Sequence, residues 1–212
     1  MNTRNLLLVC AASILLAAPA FAATTAPQNI TIGSSLTDWS NTWNVNQFDT
    51  SLGTLTGITL DISGNVSAIL RITNISTKNA SSGTTTGGVT IMVNGGGLTQ
   101  TLDITTGSYG YSLAKGGTVS STTLTGNDSI SGVWTTLAIL DQFKGIGTTA
   151  LNLSAGNFTD LHNVGGATYI SDDSEISAGT TLSLVYTYTV PEPTTIAILG
   201  IGALSIFRKK NK

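Results

Sequence analysis

Apolar residues recur at every second position in several stretches of this 212-residue chain. A two-residue period is typical of β-strands with one buried and one solvated face. The alternation runs through residues 58–62 and, after Gly64-Asn65, through residues 66–72. Because Gly and Asn favour turns, this pattern predicts a hairpin that turns at Gly64-Asn65.

Further strands are predicted at residues 89–93, 98–104 and 182–188. Residues 133–140 fit a strand or a short helix, and Thr135 and Thr136 favour the strand. The predicted turns between strands are clusters of small residues, at 81–83, 87–88, 94–97, 116–117 and 165–166. The spacing predicts an all-β fold, a β-sandwich of about nine to eleven short strands.

Charge is scarce. Asp, Glu, Lys and Arg make up 9% of the chain, whereas 41% is hydrophobic. A disordered chain combines low hydrophobicity with high net charge, so this composition favours a folded domain. Residues 23–190 carry ten acidic side chains against four basic ones, a net charge of −6. Such a domain cannot neutralise a series of phosphates, which argues against nucleic-acid binding.

The N-terminus has the features of a secretory signal peptide. Arg4 supplies the positive charge, residues 6–18 form the apolar run, and Ala20-Phe21-Ala22 is a small-x-small cleavage pattern. Cleavage is expected between Ala22 and Ala23. The only cysteine, Cys10, lies in this leader, so the exported chain is expected to have no disulfide and no thiolate metal site.

The C-terminus has three parts. Pro191, Glu192 and Pro193 interrupt regular structure and are followed by the uncharged residues 194–207. A helix over these fourteen residues would extend about 21 Å, somewhat less than a hydrocarbon core of about 30 Å. A basic tail then favours retention on the cytoplasmic side of a membrane; it contains Arg208, Lys209 and Lys210.

These three parts together resemble the PEP-CTERM sorting signal. The resemblance implies recognition by an exosortase in the inner membrane of a Gram-negative bacterium, and delivery to the outer surface or extracellular matrix. With the N-terminal leader, three regions are expected: a signal peptide (1–22), an exported domain (23–189) and a sorting signal with a transmembrane-like apolar helix (190–212). The implied partners are the secretion machinery, the exosortase and exopolysaccharide.

The body resembles the choice-of-anchor E domain, a surface domain joined to different anchoring signals. The resemblance rests on residues 48–60, which begin with Phe48 and contain Leu52-Gly53-Thr54-Leu55, and on residues 142–147 and 185–188. It covers about residues 31–189 and implies a location at the cell surface without a mechanism.

Two groups of residues are candidates for binding. Trp39 and Trp43 are four residues apart, so both rings lie on one face of a predicted strand and could contact a sugar ring. Packing in the core or at an edge is the favoured alternative. The second group combines carboxylates suited to Ca²⁺, although a solvated turn is favoured there and no cofactor is predicted; it consists of Asp172, Asp173 and Glu175.

The sequence contains no recognisable catalytic constellation. His162 is the only histidine, and none of the serines lies in a Gly-x-Ser-x-Gly motif. We therefore expect a non-enzymatic protein with a structural or adhesive role in exopolysaccharide or biofilm. The alternatives are a carbohydrate-binding module and a secreted glycoside hydrolase.

Overall fold

The computed structural model describes residues 21–163, 170–172 and 174–190, with residues 170–172 described in their backbone alone. Within these ranges the chain forms one four-residue helix, α1 (Leu137–Leu140), and two 3-10 turns, Thr50–Leu52 and Asp141–Phe143. The strands in the same ranges are β1 (Phe21–Thr24), β2 (Gln28–Leu36), β3 (Trp39–Asn46), β4 (Thr54–Ile69), β5 (Arg71–Asn74), β6 (Ser81–Gly95), β7 (Leu98–Thr105), β8 (Tyr109–Leu113), β9 (Thr118–Ser120), β10 (Leu124–Trp134), β11 (Thr148–Asn163), β12 (Ile170–Asp172) and β13 (Glu175–Val190).

Two five-stranded antiparallel sheets make up most of the fold. The first sheet has the order β1-β13-β4-β10, and β2 pairs with the same edge of β13 as β1. The second sheet has the order β3-β11-β6-β7, and β8 pairs with the same edge of β6 as β7. A third, three-stranded sheet has the order β12-β5-β9. The predicted all-β sandwich class is confirmed.

The inner faces of the two large sheets form one core. Inward-facing apolar residues alternate along β4, β6, β11 and β13, as the two-residue period predicts. Each fully buried Val, Leu or Ile side chain contributes about 1.5–3 kcal/mol relative to exposure. The central members of this core are Ile58, Leu60, Ile62, Val89, Ile91, Val93, Leu151, Leu153, Leu182 and Leu184.

Close contacts join the edges of the two large sheets. On one side, the Gln28 side chain donates from Nε2 to the Asn46 carbonyl (3.0 Å) and accepts from the Asn46 N–H (2.7 Å). On the other side, Gly126 in β10 lies so near the Thr105 carbonyl of β7 that a Cβ atom would come within 2.0 Å of its oxygen. The strand edges are therefore partly covered, which limits unwanted strand addition.

The predicted hairpin at Gly64-Asn65 is wrong. β4 continues without a turn from Thr54 to Ile69, and Gly64 pairs with Asp128 on one side and Thr180 on the other. The physical reason is packing, since a Cβ at Gly64 would lie 2.5 Å from Ile104 Cδ1 and 2.8 Å from Ile91 Cδ1. This glycine makes room for the facing sheet.

Two of the predicted turns, at residues 81–83 and 87–88, lie inside strand β6 and are also wrong. Gly88 pairs with Phe158 of β11, and the Phe158 ring lies over the glycine. A Cβ atom at Gly88 would come within 2.2–2.7 Å of atoms of that ring. Gly87 leaves space for the Leu70 side chain in the core. Glycine within a strand often marks such a close approach.

Residues 133–140 were predicted to form a strand or a short helix, and the structure shows part of each. Val133 and Trp134 end β10, whereas residues 137–140 form α1. The helical turn begins with hydrogen bonds from the Ile139 and Leu140 N–H groups to the Thr136 carbonyl. It buries Leu140 in the core, so tertiary packing overrides the strand preference of the threonines.

The predicted number and length of strands also need correction. The described residues contain thirteen strands, and three of them, β4, β11 and β13, have 16 residues each. The glycines inside β4 and β6 account for the difference in length of these two strands, because each glycine that was interpreted as a turn divided one long strand into shorter ones.

Candidate functional site

The predicted signal-peptide cleavage site lies beside the end of the last described strand, at one corner of the sandwich. β1 pairs with the last residues of β13, so Ala22 lies opposite Thr189 and Ala23 lies opposite Tyr188. β13 ends at Val190, directly before Pro191 in the sequence. Pro191, Glu192, Pro193, the apolar segment and the tail residues Arg208, Lys209 and Lys210 lie outside the described residues. The same holds for residues 1–20 of the predicted signal peptide.

An aromatic cluster holds the end of β13 in place. The Phe48 ring lies 5.9 Å from the Tyr186 ring and 5.1 Å from the Tyr188 ring, and Phe143 lies 6.4 Å from Tyr186. Aromatic pairs at such separations stabilise a fold beyond the burial of their surface. Gly53 packs directly against the Thr189 carbonyl, where a Cβ would come within 2.1 Å of the oxygen. The last strand is thus fixed up to the point where the sorting segment begins.

Tyr186 connects this cluster to the second sheet. Its hydroxyl donates a 2.7 Å hydrogen bond to the Asn46 carbonyl. Burial raises the pKa of Tyr186 from 10.0 to about 12, and a hydrogen bond with the Gln28 side chain opposes part of that rise. The phenol therefore stays protonated and keeps donating at physiological pH.

Trp39 and Trp43 lie on one face of β3, as predicted, but this is the inner face. Trp43 is only 8% exposed, and Trp39 packs against the same core. Trp39 Nε1 is buried without a hydrogen-bond partner. The prediction of an exposed sugar-binding platform made of both rings is therefore wrong. The structure shows the favoured alternative, in which the rings pack in the core.

The predicted Ca²⁺ cluster is only partly described. Asp173 and the side chain of Asp172 lie outside the described residues, whereas Glu175 begins β13 with an exposed side chain. Among the residues that the structure describes, no group of three or more His, Cys, Asp or Glu side chains is close enough to hold a metal ion.

The described carboxylates are exposed. Several have local structural roles: Asp49 accepts from the Ser51 N–H (2.8 Å), Asp103 accepts from the Thr90 hydroxyl (2.6 Å), and Asp141 pairs with Lys144 (2.7 Å). The hydrogen bonds from Ser51 lower the pKa of Asp49. His162, near the end of β11, is also exposed.

The outer face of the second sheet carries a shallow polar depression that the sequence analysis did not identify. Neighbouring side chains of β3, β6 and β11 line it, and the Thr42 hydroxyl donates to the Asn152 amide oxygen (3.3 Å). The signal was available in the sequence, because the residues that alternate with Trp39 and Trp43 on β3 are polar. We call this surface the amide face; the outward side chains that line it are those of Ser40, Thr42, Asn94, Asn152 and Ser154.

A corresponding depression on the outer face of the first sheet is lined by residues of β4, β10 and β13, most of them Ser or Thr, and includes one carboxylate, Asp61. A third depression lies beside the small sheet and includes one carboxylate, Glu175. Since the amide face has none, each of these three surfaces offers at most one carboxylate.

Comparison with known proteins gives one informative match. A family model described as the PEP-CTERM protein-sorting motif matches residues 189–211. The match includes Pro191, Glu192, Pro193 and the basic residues at 208–210, and it confirms the predicted sorting signal. The chain is thus an exported protein of the exosortase-sorted class, directed to the cell surface.

No curated protein matches the chain. Two solved structures are similar at very low TM-scores: "Structure of infectious bursal disease virus Gx strain" (TM-score 0.20, 13% identity, 82% of this chain and 44% of that chain) and "Structure of infectious bursal disease virus Gt strain" (0.13, 12%, 82% and 43%). The chain spans less than half the length of either viral chain. These scores support no structural argument, and the resemblance of the body to the choice-of-anchor E domain stays a prediction.

In the part of the chain that the structure describes, no helix is both long and apolar enough to cross a membrane. The predicted transmembrane-like segment at 194–207 lies outside that part.

Proposed function

We propose that the exported domain is a non-enzymatic structural protein of the extracellular matrix of a Gram-negative bacterium, and that it binds exopolysaccharide through the amide face. The observation that carries this proposal is the composition of that surface. It combines two asparagine side chains, Asn94 and Asn152, with serine and threonine hydroxyls and has no charged group. Sugar hydroxyls both donate and accept hydrogen bonds, and amide and hydroxyl groups offer both capacities in return.

The geometry of the amide face suits a weak, repeated contact. Ser40 lies directly opposite Ser154, and Thr42 lies opposite Asn152, so the polar groups form rows across neighbouring strands. On a flat, solvated surface the sugar displaces bound water without becoming buried itself. Each contact therefore contributes little net free energy of binding. A polymer with repeated sugar units offers many equivalent sites, so one polysaccharide chain can hold many copies of the protein even though each contact is weak.

Two observations support a binding role over a hydrolytic one. A glycosidase typically places two carboxylates about 5–10 Å apart across the scissile bond. Each of the three depressions described above has at most one carboxylate. In addition, a general acid usually has its pKa raised by burial, whereas the described acidic side chains are exposed.

The test compares two matched pairs of substitutions in the full-length protein. Ser40→Glu with Ser154→Glu places two carboxylates opposite each other on the amide face. Ser63→Glu with Ser129→Glu does the same on the outer face of the first sheet, since these two serines also pair directly. All four serines are exposed, so the two pairs should perturb folding to a similar extent.

The measurement is retention on immobilised exopolysaccharide from the producing bacterium. We expect the amide-face variant to lose retention and the first-sheet variant to bind like the wild type. Equal retention of both variants, or equal loss from both, would contradict the assignment of binding to the amide face.

A further inference from the structure

The sandwich has one end at which the chain leaves for the sorting signal, and this end exposes large apolar side chains. We call it the exit end; it comprises residues 47–54, residues 133–147 and the end of β13. Four residues there are strongly exposed: Leu52 (47%), Val133 (66%), Leu137 (69%) and Ile146 (100%). Exposed apolar side chains that are grouped on one surface often mark an interaction site.

A contact with the last strand places Leu52 at this end, and the strand register places Val133 there. Leu52 directly precedes Gly53, which packs on the Thr189 carbonyl. Val133 pairs with Thr59, and Thr59 pairs with Val185 of β13.

Leu137 and Ile146 lie at the same end. Leu137 begins α1 three residues after Trp134, whose pairing partner in β4 is Ile58. Ile146 lies in a loop held by hydrogen bonds from the Gly145 N–H to the Phe48 carbonyl and from the Gln47 N–H to the Gly147 carbonyl. Phe48 in turn contacts Tyr188. Leu52 and Ile146 thus lie beside the end of β13, and Val133 and Leu137 lie at the same end of the sandwich, on the other side of β4.

Charge is distributed unequally between the two ends. The described charged side chains of the exit end are Asp49 and the Asp141–Lys144 pair. The opposite end, where β5, β9 and the start of β13 lie, carries five others: Arg71, Lys78, Lys115, Asp160 and Glu175. A surface with few charges and several exposed aliphatic side chains is suited to the boundary between lipid headgroups and acyl chains.

We propose that Leu52, Val133, Leu137 and Ile146 form an apolar rim that contacts the membrane surface while the sorting segment is still attached. The argument for lipid as the occupant is distance. Only Pro191, Glu192 and Pro193 separate Val190 from the uncharged residues 194–207. Three extended residues span at most about 11 Å, so an inserted segment holds the exit end against the bilayer. This inference rests on the membrane stage that the PEP-CTERM resemblance implies for the sorting route, and not on the proposed binding of exopolysaccharide.

The test uses the full chain with Cys10→Ser, which removes its only cysteine. Single cysteines are introduced by Leu137→Cys and Ile146→Cys in the rim, Ala203→Cys in the apolar segment, and Leu36→Cys as a control. Leu36 is 67% exposed and pairs with Ser177, near the opposite end. Each is labelled with a nitrobenzoxadiazole fluorophore in nanodiscs of phosphatidylethanolamine and phosphatidylglycerol, with or without a nitroxide-headgroup lipid.

We expect a blue shift of the emission and a loss of intensity with the nitroxide lipid at 137, 146 and 203, but not at 36. If the probe at 203 is quenched while the probes at 137 and 146 behave like the control at 36, the apolar segment inserts but the rim does not contact lipid. This result would overturn the rim and leave the sorting route intact. That outcome would favour a protein contact at the exit end. Absence of quenching at 203 would show that the segment does not insert, which overturns both the rim and the membrane stage.

A second measurement tests the role of the apolar side chains themselves. A probe at Leu52→Cys is combined with Leu137→Ser and Ile146→Ser, and separately with the control pair Leu36→Ser and Ile75→Ser. Ile75 is 51% exposed and directly follows β5. We expect the rim pair to reduce the quenching at residue 52 and the control pair to leave it unchanged. Unchanged quenching in both would show that these side chains do not hold the exit end on lipid.

Discussion

At the scale of single residues, Tyr186 is the side chain that ties the sorting end of the chain to the core. It is 2% exposed, its ring contacts Phe48 and Phe143, and its hydroxyl donates to the Asn46 carbonyl. That carbonyl also accepts from Gln28 Nε2. Loss of the phenol hydroxyl would therefore remove one hydrogen bond without leaving the acceptor unpaired.

We expect Tyr186→Phe to lower the free energy of unfolding by about 1 kcal/mol, the usual net contribution of one hydrogen bond. The pH dependence has a defined sign. The folded pKa of about 12 exceeds the unfolded value of 10.0, so the contribution is present below pH 10 and is lost as the pH rises to 12. Urea unfolding of both proteins across this range is the measurement. An equally steep alkaline loss of stability in the variant would contradict this role of Tyr186.

The tryptophans show what the sequence can and cannot predict about a residue. Spacing alone placed Trp39 and Trp43 on one face of a strand, and this is correct. Which face is buried depends on the strand opposite, since Trp43 pairs with Leu151 and both side chains belong to the core. The polar alternation of Ser40, Thr42 and Asn44 is the sequence signal for the outer face, and it points to the amide face.

At the scale of elements, long strands interrupted by glycine account for most differences between prediction and structure. The apolar strands at 89–93, 98–104 and 182–188 were predicted correctly because their buried side chains alternate without a break. In β4, Ile62, Gly64 and Val66 are all inward-facing, so the alternation keeps its phase through Gly64-Asn65. A two-residue hairpin at that position would put Ile62 and Val66 on opposite faces, and this phase argument favours a continuous strand.

The continuity of β4 can be tested with two glycines. Gly64→Ala adds a methyl group 2.5 Å from Ile104 and 2.8 Å from Ile91, so we expect overpacking to lower the free energy of unfolding by about 1–3 kcal/mol. The matched control is Gly33→Ala in β2, where no atom lies within 4 Å of the new Cβ. It should be neutral or slightly stabilising, since alanine restricts the unfolded chain. A neutral Gly64→Ala in denaturant unfolding would contradict the packed, continuous strand.

At the scale of the whole molecule, the fold keeps three kinds of surface apart. The outer faces of the sheets present mainly polar groups, the opposite end carries Arg71, Lys78, Lys115, Asp160 and Glu175, and the exit end carries exposed apolar side chains near the end of β13. Composition alone predicted an all-β body, and the two termini predicted export and sorting. The placement of these features relative to one another depends on strand pairing between distant parts of the chain, such as β1 with β13, and no local pattern encodes it.

The central claim is that the chain is processed and exported through its C-terminal signal. It is tested most directly by the intact mass and location of the native protein after fractionation of the producing bacterium, with a variant carrying Pro191→Ala, Glu192→Ala and Pro193→Ala as the comparison. We predict a wild-type species that begins near Ala23, lacks the residues after the Pro-Glu-Pro motif and lies outside the inner membrane, while the variant keeps its tail. A wild-type species that retains Lys212 in the inner membrane, or a variant released like the wild type, would contradict this account.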